Sequence, residues 1–229
     1  MARIVVIGGE KGGVGKTTIS TQMAALAAQE GLDVCLVNTD TQATASYWAA
    51  TRKATAKVRS TIKPVHCVTL LGDGIADELV DLATRYALVI VDAGGRDSVE
   101  FRGALAVADQ LVTPLAPSQF DVWTLPKLAE LAKQVRAFNR RLVCTAVVSR
   151  VSHTEKGTAR TDMASALADH PVIGLVNTVV VNRAAYKNAS ALGLSVAEMA
   201  RRDVKAVTEM LSLYREIFNG KAAADIQAA

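Results

Sequence analysis

The chain has 229 residues, with 26 Lys and Arg against 22 Asp and Glu and a formal net charge of +4. Half of it (50%) is hydrophobic and 21% is charged, which excludes a disordered chain and leaves enough residues for a full core. No segment approaches the ~20 consecutive apolar residues of a membrane span, and the mild basic excess permits an acidic partner without demanding one.

The first apolar run, RIVVIG (3–8), reads as a strand and is too short for the apolar part of a signal peptide. It leads into GGEKGGVGKTTIS (8–20). A phosphate loop of the form G-x-x-x-x-G-K-[ST] is completed here by Gly15, Lys16 and Thr17, but Glu10 stands where the first glycine belongs and a second lysine, Lys11, stands beside it. A strand, a glycine-rich turn and a helix start form a cradle of backbone N–H groups for phosphate oxygens. Gly12, Gly13, Val14, Gly15, Lys16, Thr17 and Thr18 are therefore the expected nucleotide contacts, with the Lys16 ammonium on the β- and γ-phosphates and the Thr17 hydroxyl on Mg²⁺. The helical stretch KTTISTQMAALAAQEG begins at the loop and ends at Gly31, a natural C-cap.

DVCLVN (33–38) is the second strand, and the segment after it offers Asn38, Asp40 and Gln42. Asp40 is placed to orient an attacking water and to help hold Mg²⁺, or else to cap the helix that begins in ATASYWAA. After PVHCVTL (64–70) and a helix over 73–85 comes ALVIVD (87–92), whose terminal Asp92 either supplies the second carboxylate for Mg²⁺, acting through water, or caps the next turn. Helices over 98–108, 123–138 and 202–218 and strands QLVTPL (110–115), RLVCTAVV (141–148) and LVNTVVV (175–181) complete the pattern. Continuous apolar strands alternating with helices predict a doubly wound α/β fold, a mostly parallel sheet covered by helices on both faces. One domain is expected over 1–219, with a frayed tail from 220 to 229. Cys35, Cys67 and Cys144 fall in apolar strands without C-x-x-C spacing and with no His at ligand spacing, as structural thiols of a reducing, cytoplasmic compartment do.

KGGVGKTT, from Lys11 to Thr18, resembles the loop K-G-G-x-G-K-[ST] of the ParA/MinD superfamily of deviant Walker A ATPases, and most of all its small ParA-type, ParF-like partition members. VNTDTQATASYW is similar to the superfamily's D-x-D-P-Q segment, YALVIVDAGG to its Walker B strand, and ADQLVTPLAPSQFDV to its paired-proline stretch. The resemblance implies that Lys11 is the signature lysine reaching the partner's ATP across a nucleotide-sandwich homodimer, and that Asp40 serves hydrolysis. Asn38 replaces the first Asp and Thr41 the Pro, departures that bear on Mg²⁺ affinity or turnover rather than on nucleotide binding. Gly94 and Gly95 match the second switch. Pro114 and Pro117 either shape the nucleotide and dimer edge or end a strand.

The same resemblance implies nonspecific DNA binding by the ATP dimer. Basic residues cluster at Arg52, Lys53, Lys57, Arg59 and Lys63; at Arg136, Arg140 and Arg141; at Arg183 and Lys187; and at Arg201, Arg202 and Lys205. The last two clusters, Arg183, Lys187, Arg201, Arg202 and Lys205, fall where the DNA surface is expected; the alternative is a solvated charged face. In 201–218 an apolar stripe of Val204, Val207, Leu211, Tyr214 and Phe218 carries nearly balanced charge, which favours packing on the sheet over a stable membrane anchor. Trp48, Phe120 and Trp123 read as core or interface aromatics, and His66, His153 and His170 receive no role. The implied protein is a cytoplasmic, Mg²⁺-dependent ATPase, nucleoid-associated when ATP-bound, whose hydrolysis a ParB-like or cargo-adaptor partner stimulates. A membrane-associated MinD-like ATPase and a metabolic ligase or reductase are the alternatives.

Overall fold

A computed structural model describes residues 2–95, 97–155 and 157–218, so the tail expected to fray lies outside the described residues. Each of the seven apolar runs is a strand: β1 (Arg3–Ile7), β2 (Val34–Asn38), β3 (His66–Thr69), β4 (Leu88–Asp92), β5 (Gln110–Leu115), β6 (Val143–Val151) and β7 (Ile173–Val181). They form one parallel sheet in the order β3-β2-β4-β1-β5-β6-β7. Parallel strands need crossovers, and these are built from α1 (Lys16–Gln29), α2 (Thr44–Val58), α3 (Ile75–Arg85), α4 (Val99–Val107), a short α5 (Gln119–Val122), α6 (Leu125–Arg136) and α7 (Ala159–Leu167); α8 (Ala184–Ala191) and α9 (Val204–Phe218) follow β7 and close the described chain.

Alternation along the strands divides the core. Ile4, Val6, Val89, Val91 and Leu111 pack with α3, α4, α6 and α7 on one face. Val5, Ile7, Leu36, Ile90 and Val112 pack with α1, α2, α8 and α9 on the other. Both faces are covered over the central strands β1, β2, β4 and β5, which read as unbroken apolar runs, while the edge strand β3 leaves His66 and Thr69 exposed. The thiols conform: burial pushes Cys35 up to about 12 and Cys144 up to about 11, while Cys67 is half-buried.

Departures from expectation sit where periodicity is weak. The helix expected over 123–138 is Leu125–Arg136, preceded by the separate turn α5 that Ser118 caps. α7 and α8 were not expected; ARTDMASAL and AAYKNASA present only a few large apolar residues. On α9 the fully buried face is Ala206, Met210, Leu213, Tyr214 and Ile217, while Val207, Leu211 and Phe218 pack at its margin and Val204 is exposed. No helix among the described residues is long and apolar enough to cross a membrane.

Candidate nucleotide site

The carboxyl ends of β1, β2 and β4 converge, as their registers Ile7↔Asp92 and Asn38↔Asp92 require, on a cavity of about 710 Å³. Loop residues Gly12, Gly13, Gly15, Lys16, Thr17 and Thr18 line one wall; Asp40, Thr41 and Gly94–Gly95 line others. Gly15 is the residue before α1 and has φ 98, a left-handed conformation that lets the loop turn directly into the helix without a side-chain cap on its first N–H groups. Those donors and the helix dipole favour an anion there. Gly95 lies so close that a Cβ would stand 3.2 Å from Gly12 and 3.3 Å from the Lys16 ammonium, which joins the segment after β4 to the loop.

Lys16 is buried, and its Nζ donates to the Lys11 carbonyl at 2.6 Å. Burial lowers its pKa, opposed by the charges of Asp92 and Asp40. Asp92 is buried beneath the cavity rather than on its surface, and accepts hydrogen bonds from the Ser20 hydroxyl at 2.9 Å and from Thr17. Burial pushes its carboxyl up to about 6, against the opposing pull of Thr17, Ser20 and Lys16. Asp40 is half-buried on the cavity wall, and its Oδ1 accepts from the Gln42 N–H at 2.9 Å. It therefore ties its own turn, while α2 starts four residues further on, after Ala43 in a left-handed conformation.

Asn38 has a structural reason. Its Nδ2 donates to the Asp40 carbonyl at 2.9 Å, a bond no ionised carboxylate can donate, and so it shapes the loop that presents Asp40. Its buried Oδ1, beside Asp92 in the sheet, has no hydrogen-bond partner among the described residues.

Other expected residues scatter. Lys11 is half-buried and off the cavity wall, with its Nζ 5.8 Å from the centre of the Phe120 ring. Val14 is buried and faces a second cavity of about 630 Å³ between α1, α2, α8 and the ends of β6 and β7. Pro117 lines neither cavity, because the chain after β5 turns away into α5. Trp48 is core, but Phe120 (64% exposed) and Trp123 (65%) are a surface pair, edge to face at 5.4 Å.

The basic clusters divide in the same way. Arg52 is fully buried and pairs with Glu198 at 2.7 Å, and Arg59 donates to the Glu198 carbonyl. Arg183 is also withdrawn, its guanidinium gripped by Glu209 at 2.7 and 3.1 Å with the side chain 7% exposed, which leaves little of it to meet DNA. Lys187, Arg201, Arg202 and Lys205 remain exposed. Ala185 and Asn188, flanking Lys187 on α8, line one cavity of about 300 Å³ with Arg201 and Arg202.

Two site residues had no prior signal. Ser20, four residues after Lys16, follows from helical spacing once Asp92 is placed beside it. Arg150, at the end of β6, donates from Nη1 to the Gly13 carbonyl, and sequence gave only a charge terminating an apolar strand.

The profile of the CobQ/CobB/MinD/ParA nucleotide binding domain matches residues 5–196. The chain is 28% identical over 213 residues to maintenance of carboxysome distribution protein A of Halothiobacillus neapolitanus, covering 90% of this chain and 92% of that one. It is 24% identical over 188 residues to protein ParA of Rhizobium radiobacter, covering 80% of each. An ATP complex of a Cyanothece McdA variant superposes with TM-score 0.72 over 96% of this chain and 97% of that one, at 15% identity, a likeness of fold.

Proposed function

As the chain belongs to the CobQ/CobB/MinD/ParA family of nucleotide-binding domains, we propose that it is a Mg²⁺-dependent ATPase that positions or segregates a cargo by cycling between an ATP-bound homodimer on nonspecific DNA and a released state. The observation that carries this reading is the setting of Lys16, held between the loop carbonyl of Lys11 and the charges of Asp92 and Asp40 at the head of an uncapped helix. Phosphoryl transfer in such a site is positioning and charge neutralisation, which a cationic loop, a buried carboxylate and a water-orienting acid supply.

The residues present fit Mg²⁺. Among the described residues no three His, Cys, Asp or Glu side chains gather into a metal site of their own. Mg²⁺ in nucleotide sites takes one or two carboxylates and leaves the rest to phosphates and water. Thr17 would hold it directly, with Asp92 and Asp40 acting as carboxylates, and the unpartnered Asn38 Oδ1 adds a neutral oxygen beside Asp92. The ion, when bound, neutralises phosphate charge. Asp40, on the cavity wall, orients the attacking water. The nucleoside half takes the adjoining cavity, walled by Tyr47, Trp48, Val180 and Tyr186.

Lys11 supports a two-subunit site because its ammonium points over Phe120 rather than into its own cavity, leaving it for a partner's phosphates. Lys187, Arg201, Arg202 and Lys205 are the cations that remain for DNA backbone, on the flank of α8 and the approach to α9. The relatives' names, maintenance of carboxysome distribution protein A and ParA, favour a positioning role, and a partner protein that stimulates hydrolysis is part of the proposed cycle. A membrane-bound role is disfavoured by α9, whose apolar face is spent on the core.

The test is binding to random duplex DNA with no nucleotide, ADP or ATP, alongside the molar mass of wild type and Lys11→Ala. The expected result is ATP-dependent, salt-sensitive DNA binding and an ATP-dependent dimer that Lys11→Ala loses while still binding ATP. DNA binding indifferent to nucleotide, or a Lys11→Ala protein that dimerises normally, contradicts the reading.

A further inference from the structure

We infer that Arg150 is a nucleotide-positioning cation, gripping the junction between the sugar and the phosphates; this rests on the nucleotide reading above. Arg150 is exposed and has φ 54, in the left-handed region that a residue with a Cβ adopts only under constraint. The β6–β7 pairing shifts register between Val148 and Val151, and such an irregularity re-aims the side chain it carries. What it aims at is the loop. Ser149 donates from Oγ to the Val14 carbonyl at 2.6 Å, and Arg150 donates to the carbonyl of the preceding residue, Gly13.

Strand end and loop are thus tied at two successive carbonyls, and the second tie uses a charged group where a neutral donor suffices. Arg150 makes no ion pair among the described residues. Five residues line both the phosphate cavity and the adjoining one, namely Gly15, Thr17, Thr18, Thr44 and Arg150, and only Arg150 is charged. A ligand with its phosphates in the first cavity and its base in the second passes between the start of α1 and this guanidinium. Its planar fork of donors suits the oxygens of an inner phosphate and the ribose better than the single carbonyl it now holds.

An inner-phosphate contact serves ATP and ADP alike, which separates it from a contact to the terminal phosphate. The experiment is calorimetric titration of ATP and ADP, with Mg²⁺, into wild type, Arg150→Gly and Arg150→Lys. Glycine accepts the left-handed backbone, so the first variant removes the guanidinium without adding strain, and a cooperative melt checks its fold. We expect affinity for both nucleotides to fall about tenfold or more in Arg150→Gly and to recover in part in Arg150→Lys. Wild-type affinity in Arg150→Gly, or a loss confined to ATP, overturns the inference while leaving the nucleotide site standing. A wild type that binds neither nucleotide overturns both. If Arg150→Gly melts early, Arg150→Gln carries the same comparison.

Discussion

The phosphate edge and the basic flank draw on the same kinds of charged residue and treat them differently. At the edge, the start of α1, the segment after β2 and the end of β4 bring Lys16, Asp40 and Asp92 together at one cavity, and burial shifts Lys16 down and Asp92 up while the attraction between their charges opposes both shifts. On the flank, basic residues close in sequence part company: Arg183 is clamped by Glu209 while Lys187 is exposed, and Arg52 is fully buried while Lys53 is exposed. A motif fixes backbone geometry, so its residues arrive together. A cluster of charge fixes nothing about where its counter-charges lie.

The largest effect that can test this contrast is structural. If Arg52 belongs to the core rather than to a charged surface, Arg52→Ala strands Glu198 and leaves its carboxylate buried, and should cost about 3–5 kcal/mol in denaturant unfolding. A loss below about 0.5 kcal/mol, the scale of a surface substitution, would return Arg52 to the surface class. Next is Lys16→Ala, expected to weaken ATP binding by about a hundredfold or more in direct titration, with the melting temperature nearly unchanged. Unfolding on that substitution would instead make the lysine a structural brace of its loop.

Asp92 sharpens the edge through pH. Its folded pKa, about 6, lies above the ordinary carboxylate value, so the fold favours the protonated form. The group's contribution is therefore favourable in acid and is lost as pH rises through about 6. In chelator and without nucleotide, Asp92→Asn should be more stable than wild type at pH 7 by roughly 2–3 kcal/mol, and the gap should close as pH falls toward about 4. A gap that does not change with pH would mean that the Thr17 and Ser20 hydroxyls already satisfy the ionised carboxylate.

What the sequence made legible follows the same division. The central strands were readable because a strand covered on both faces is a continuous apolar run, as ALVIVD is, and the half-exposed edge strand β3 was readable from the short apolar run around Cys67 and Val68. The loop was readable because glycine, lysine and threonine at fixed spacing have few other uses. Arg150 was not, because a bulge and a left-handed φ leave no mark in the letters VVSRV. Nor was the role of Asn38, whose amide serves the Asp40 carbonyl two residues away, or the turning aside of Pro117, decided by the capping of α5 at Ser118. α7 and α8 were missed because short helices with one or two large buried side chains carry little periodic signal.

The smallest effect is the one that tests the flank itself. With Arg183 withdrawn, Lys187, Arg201, Arg202 and Lys205 are the exposed cations of α8 and of the approach to and start of α9. If they lie along a phosphate backbone, each alanine substitution removes about one released counterion, and the slope of log affinity against log salt should fall by about 1 per site, equally for any DNA sequence. Lys133 on α6 is equally exposed but belongs to the opposite face, and Lys133→Ala should leave the slope alone. The two faces carry similar exposed cations, so net charge cannot produce a difference between them. A slope that falls equally for Lys133 and Lys187 would mean that DNA senses only the overall charge of the protein, and the flank would then be an ordinary solvated surface.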